Sequence, residues 1–160
     1  MNLSYERYGQ QNNPAITIIH GLFGSAKNWH SIAKQLSTNY YVICINCRNH
    51  DNSFHAESMT YPEMASDTFS LLTALNIQTT SLIGHSMGGK IAMAMTLMQP
   101  QKITQQIIVD IAPKPYPDHH LKIIEALKSI ELSNHKSRLD VSNALKTNIP
   151  NQNLRQFLIK

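Results

Sequence analysis

Short apolar runs, set apart by longer stretches of helical pattern, constrain this chain more than any other feature. Residues 15–19 (AITII), 40–45 (YYVICI), 81–83 (SLI) and 107–109 (IIV) are almost continuously apolar and rich in β-branched side chains. That composition suits strands buried on both faces, as in a parallel sheet. Between them, residues 25–36 place Trp29, Ile32, Ala33 and Leu36 at helical spacing. Residues 61–75 begin with Pro62 in a first-turn position and carry Met64, Thr68, Leu71, Leu72 and Leu75 on one side. Residues 86–98 run through IAMAMTLM, with Met93, Met95 and Met98 read as core filling, and stop before Pro100. Strand alternating with helix predicts an α/β fold, a mostly parallel sheet flanked by helices. Residues 3–8 add an N-terminal edge strand. Beyond Val109 the pattern changes: Pro113, Pro115 and Pro117 interrupt the chain, and residues 121–132, 138–145 and 154–159 all read as helix.

At 160 residues, 42% hydrophobic and 15% charged, the chain holds enough apolar matter for a core and is not a disordered segment. No apolar run is long enough to span a bilayer, and the start, MNLSYERYGQ, has no signal core, so a cytoplasmic location without membrane contact is expected. The net charge of +4 lies entirely in the last third: residues 113–160 carry eight basic and four acidic side chains, against six and six before them. A solvated helical surface accounts for this, and so does a docking face for an anionic substrate such as a phosphate-bearing thioester. Nucleic acid is not expected, because the lysines are dispersed with few aromatic residues among them. Cys44 and Cys47 form a CxxC, but His50 and His55 follow too closely for a zinc site and Cys44 sits inside an apolar run. They are read as two ordinary reduced cysteines, with no metal.

The chemistry is carried by Gly84-His85-Ser86-Met87-Gly88, a G-x-S-x-G with an apolar strand before it and a helical pattern after it. A serine on such a sharp strand-to-helix turn needs glycines where a Cβ would collide, and the helix behind it points its positive end at a developing oxyanion. A second motif, HGLFGS (residues 20–25), follows the first buried strand. Acyl transfer needs two backbone N–H donors on the carbonyl oxygen. Met87, after the serine, supplies one. Leu22 in the upstream loop supplies the other, with Phe23 next in line. His20 is read as a brace of that loop.

HGLFGS, CRNHDNS (residues 47–53), GHSMGGK (residues 84–90) and VDIAP (residues 109–113) together resemble the α/β-hydrolase superfamily, and more narrowly the YbfF-like bacterial esterases. The resemblance runs along essentially the whole chain. It implies an esterase that cleaves short acyl esters and acyl thioesters without a cofactor. It implies Ser86 as nucleophile, Asp110 as the acid that orients the base, and Phe23, His85 and His50 around the substrate. It divides the chain into a hydrolase core, residues 1–112, and the start of a helical lid, residues 113–160. Two positions depart from the subfamily pattern: Asn46 stands for a carboxylate and Asp51 for a glycine.

The base is harder to place. In this fold the order is nucleophile, acid, histidine. Only His119, His120 and His135 follow Asp110, all in the helical tail. The family's histidine lies on a loop after a final strand, and no such strand can be read here. The expectation is a chain that ends inside the lid, lacks its catalytic histidine, leaves the run 107–109 at a sheet edge and needs a complementing C-terminal segment. A non-catalytic binding protein on the same scaffold, or an acyltransferase, fits the same motifs.

Overall fold

A computed structural model describes residues 2–116 and 120–159. Pro117 and His119 lie outside the described residues. The chain divides into two compact units, residues 1–113 and 114–160.

The first unit is a five-stranded sheet with helices: β1 (Tyr5–Tyr8), β2 (Ala15–Ile19), α1 (His30–Leu36), β3 (Tyr41–Ile45), α2 (Tyr61–Ala74), β4 (Thr80–His85), α3 (Met87–Met98) and β5 (Ile103–Val109). The strand order is β1-β3-β2-β4-β5. Only β1 is antiparallel, paired to β3 from Tyr5 opposite Ile45 to Tyr8 opposite Val42. The central strands behave as their composition predicts: every residue of β3 is buried, and so are the last four of β2. One face of the sheet packs Ile19, Ile43, Ile45 and Leu82 against Met64, Phe69 and Leu72 of α2 and Ile91 and Met95 of α3. The other packs Ile16, Ile18, Val42 and Cys44 against Ala26 and Ala33.

Chain order reverses at β2. The chain leaves it for β3 on one side and later returns to its other side as β4. In open α/β sheets the crevice beyond the carboxyl ends of such strands is where ligands bind.

Several elements differ from the expected ones. The stretch 25–36 is two pieces, a 3-10 turn at Ala26–Trp29 and then α1. The Asn46 side chain explains the break, because its Oδ1 accepts the Ala26 N–H at 2.7 Å and draws that turn to the end of β3. Helix α2 is capped by a reciprocal Thr60–Glu63 box, the N-terminal device that Pro62 supports. β5 begins at Ile103, four residues earlier than the apolar run, because Thr104, Gln105 and Gln106 lie on an open edge and need not be apolar. It is therefore not buried on both faces: Ile107 is 58% exposed. Of the three methionines read as core, Met95 is buried, Met93 is half-buried and Met98 is exposed.

The second unit holds α4 (Leu121–Lys128), α5 (Arg138–Ala144) and α6 (Gln152–Leu158). α4 stops four residues short of the pattern, at Ser129, whose hydroxyl turns back to the Ala126 carbonyl. Ser137 and Asn151 cap α5 and α6 by accepting the N–H of Asp140 and Leu154. A small core of Ala126, Leu145 and Ile149 holds this unit, with Ile123, Leu127 and Val141 around it. Among the described residues no helix is long and apolar enough to cross a membrane.

Candidate active site

Ser86 joins β4 to α3 with φ 51° and ψ −116°. An L-residue reaches that region only at a cost of order 1–3 kcal/mol, so the surroundings must impose it. They do. The Ser86 N–H continues the sheet by donating to the Val109 carbonyl at 2.9 Å, and the Ser86 carbonyl receives Gly89 N–H at 2.9 Å. The flanking glycines are demanded by packing. A Cβ on Gly84 would sit 2.3 Å from the Gly88 carbonyl oxygen, and one on Gly88 would sit 2.1 Å from that of Ile19. The helix start is thus pressed against the end of β2, and the serine stands above the point where the strand order reverses.

The loop after β2 comes equally close. A Cβ on Gly21 would lie 3.3 Å from Ser86 Cβ and 2.9 Å from His85 Nδ1. At Gly21 the loop backbone thus lies directly against the serine, where any side chain would press on His85 and Ser86. Of the candidate donors, the Phe23 N–H is directed to His50 Nε2 at 3.3 Å. No hydrogen bond among the described residues occupies the Leu22 N–H or the Met87 N–H, the latter being a first-turn amide of α3.

Two histidines hold this loop by crossed hydrogen bonds. His20, after β2, donates from Nδ1 to the Gly21 carbonyl at 2.8 Å and accepts the Cys47 N–H at Nε2 at 3.1 Å. His50, after β3, donates from Nδ1 to the Arg48 carbonyl at 2.9 Å and accepts the Phe23 N–H at Nε2. Each reaches from its own loop into the other, and the rings lie 4.8 Å apart. A carbonyl can only accept, so both imidazoles are neutral and carry the proton on Nδ1. Burial pushes the His20 pKa down to about 4 and lowers that of His50, against the pull of their carbonyl partners. His50 thus has both nitrogens on backbone groups, and Phe23 takes a positive φ of 63° beside it.

Behind His50 lies Arg48. Its Nε and Nη2 grip both oxygens of Asp67 on α2, at 2.6 and 2.8 Å, and its Nη1 donates to the Ser58 carbonyl at 3.0 Å. The two departures from the subfamily pattern have physical roles. Asn46 accepts from Ala26 and also donates from Nδ2 to Ser4 Oγ at 2.9 Å, a pairing of roles closed to a carboxylate. Asp51 adopts the left-handed φ of 46° that a glycine would and pairs with Lys27 at 3.3 Å.

On the far side of the serine, Asp110 follows β5 with φ 56°, its side chain 85% exposed. His85 Nε2 lies 3.9 Å from its carboxylate, and the Trp29 ring is 6.5 Å from the His85 ring. No group among the described residues hydrogen-bonds Ser86 Oγ. His120 and His135 belong to the second unit. Cys44 and Cys47 are buried, unbridged thiols that burial pushes up to about 12, so both are protonated near neutral pH.

The structure thus brings His85 and Ser86 against Gly21 at the end of the sheet, with Leu22 and Met87 next to them in the chain and Asp110 3.9 Å from His85. It sets His50 behind the loop as a brace. The interlock of His50 with His20 and the Arg48–Asp67 fork were not read from sequence, although each histidine falls just after a neighbouring parallel strand.

A strained serine between strand and helix, at the switch point of a mostly parallel sheet, defines an α/β hydrolase. The family model described as alpha/beta hydrolase fold matches residues 14–147, and the chain belongs to that family. It is 35% identical over 152 residues to Esterase YbfF of Escherichia coli, covering 94% of this chain and 60% of that protein. It is 37% identical over 168 residues to the sn-1-specific diacylglycerol lipase ABHD11 of Danio rerio, covering 99% of this chain and 53% of that one. The solved structure of a marine microorganism esterase superposes with a TM-score of 0.94 at 41% identity, over 99% of this chain and 62% of that one. The chain therefore spans about half the length of the curated relatives it matches.

Proposed function

We propose that Ser86 is the nucleophile of a serine esterase that hydrolyses carboxylic esters or acyl thioesters through an acyl-enzyme. One observation carries the reading: a positive-φ serine at the sheet's switch point, with the Leu22 and Met87 N–H groups taken by no hydrogen bond among the described residues. Ser86 Oγ attacks the acyl carbon, and the carbonyl oxygen, now negative, is received by the Leu22 and Met87 N–H groups. Phe23 and His85 border the acyl group, while His50 acts from behind through the Phe23 amide. The serine proton passes to a histidine oriented by Asp110, whose carboxylate accepts no hydrogen bond among the described residues. That histidine is supplied by a complementing C-terminal segment, and residues 113–160 form the start of a lid. The collapse of the first tetrahedral adduct expels the alcohol or thiol, and water then releases the acid and frees Ser86. An alcohol in place of water would make a new ester by the same route, which product analysis separates.

The test is chemical rescue. The purified chain with a chromogenic short-chain ester should turn over slowly, and added imidazole should accelerate it in a saturable manner, beyond the reaction of imidazole alone. Ser86→Ala should abolish that acceleration. An acceleration that survives Ser86→Ala refutes the nucleophile. A rate typical of a complete esterase without imidazole, lost in Ser86→Ala, refutes the external base.

A further inference from the structure

The second unit contains a cavity of about 520 Å³ between α5 and α6 that nothing in the hydrolase chemistry uses. Its charged lining is Arg138, Lys146 and Arg155, with the neutral Asn143, Gln152 and Gln156 between them and no carboxylate side chain among the described residues. Among the described residues, none of the three cations has an ion-pair partner. Arg155 is the unusual member, because it is only 6% exposed. Its Nε donates to Ser142 Oγ at 3.2 Å, and its Nη1 donates to the Ile149 and Pro150 carbonyls at 2.7 and 2.8 Å. These bonds fix the turn between the helices, but all three acceptors are neutral. A buried guanidinium without a counter-charge is an arrangement proteins avoid. The Nη2 group has no partner among the described residues, and Arg155 lines the cavity. The excess of eight basic over four acidic residues in 113–160 is in part focused here.

We propose that this cavity is a binding site for a phosphate-bearing anion. The guanidinium of Arg155, held through Nε and Nη1, lines the cavity without reorganisation, and the exposed Arg138 and Lys146 add charge. Three cations without an acid match a dianion better than a single carboxylate. The cavity exceeds a bare phosphate, so the ligand class is an organic phosphomonoester, with free phosphate as the other source of the same chemistry. The site is a property of the helical unit and does not depend on Ser86 acting as nucleophile.

Calorimetric titration of the purified chain with inorganic phosphate and with phenyl phosphate tests this, with ionic strength held by sodium chloride. Saturable one-site binding is expected, weakened about tenfold in the double variant Arg138→Gln, Lys146→Gln. Both side chains are exposed, so far-UV circular dichroism should not change. Tighter binding of phenyl phosphate assigns an organic ester; equal binding assigns free phosphate; either supports the site. Absence of saturable heat with both ligands, or equal affinity in the double variant, overturns it.

Discussion

On one flank of Ser86, the loops after β2 and β3 are tied to each other by two crossed histidines, to α2 by the Arg48–Asp67 fork, and to the chain entering β1 by Asn46. His20, Asn46, Arg48 and His50 are all buried. On the other flank, the turn after β5 leaves Asp110 in solvent with one long ion pair to His85, on a strand with one neighbour. The difference teaches where preorganisation is needed. On the proposed reading, the N–H groups that receive an oxyanion must be in place before the reaction, since moving them during it would cost reorganisation energy. Their frame is complete within this chain. On that same reading Asp110 acts only through a base, and its side chain lies exposed, 3.9 Å from His85.

The largest expected effect lies where the two flanks meet. In Gly88→Ala the new methyl would stand 2.1 Å from the Ile19 carbonyl oxygen and 2.7 Å from that of His20. Both are backbone atoms of a central strand and its loop, so α3 must move off β2. A loss of about 3 kcal/mol or more, or failure to fold, should appear in urea unfolding. A cost below about 1 kcal/mol would mean that the elbow is not pressed on the sheet.

Next comes the pH dependence of the braced flank. His20 binds its proton near pH 4 when folded, against about 6.5 in the unfolded chain. Between these values the unfolded state holds the extra proton, so stability rises with pH across that window. The contribution is fully present above pH 6.5 and is lost as pH falls toward 4, in total about 3 kcal/mol. Carboxylates also titrate there, so the informative quantity is the difference from His20→Gln, whose stability should fall less steeply from pH 6.5 to 4. Parallel curves for the two proteins would show that His20 is not held neutral.

A smaller effect is expected from Arg48→Lys. An ammonium cannot grip both Asp67 oxygens and also reach the Ser58 carbonyl. A loss of about 1–2 kcal/mol is expected, with a similar coupling in a double-mutant cycle with Asp67→Asn. Additive losses would remove the fork from the frame.

The sequence declares the two flanks unequally. The central strands are legible because residues buried on both faces must be apolar throughout, as in AITII and YVICI. The elbow is legible because its geometry tolerates only glycine at 84 and 88. β5 is half hidden, since an edge strand can carry Thr104, Gln105 and Gln106. The crossed histidines are hidden altogether. Nothing local tells that His50 turns both nitrogens to backbone groups, because its partner Phe23 is 27 residues away and meets it only once β2 and β3 pair. The same holds for Asp67, found by Arg48 across 19 residues.

The smallest expected effect is the most direct probe of the open flank. Asp110→Asn keeps the size of the side chain and tolerates the left-handed backbone at φ 56° as well as aspartate does. The charge removed is 85% exposed and its one ionic neighbour lies at 3.9 Å, beyond hydrogen-bond reach. Stability should therefore shift by less than about 0.5 kcal/mol at pH 7. A loss above 1 kcal/mol would show that Asp110 is already anchored within this chain and that the two flanks are built alike. A null effect on stability, set beside the loss from Arg48→Lys, would mark Asp110 as a residue kept for chemistry: of the two acidic side chains, only Asp67 helps hold the fold.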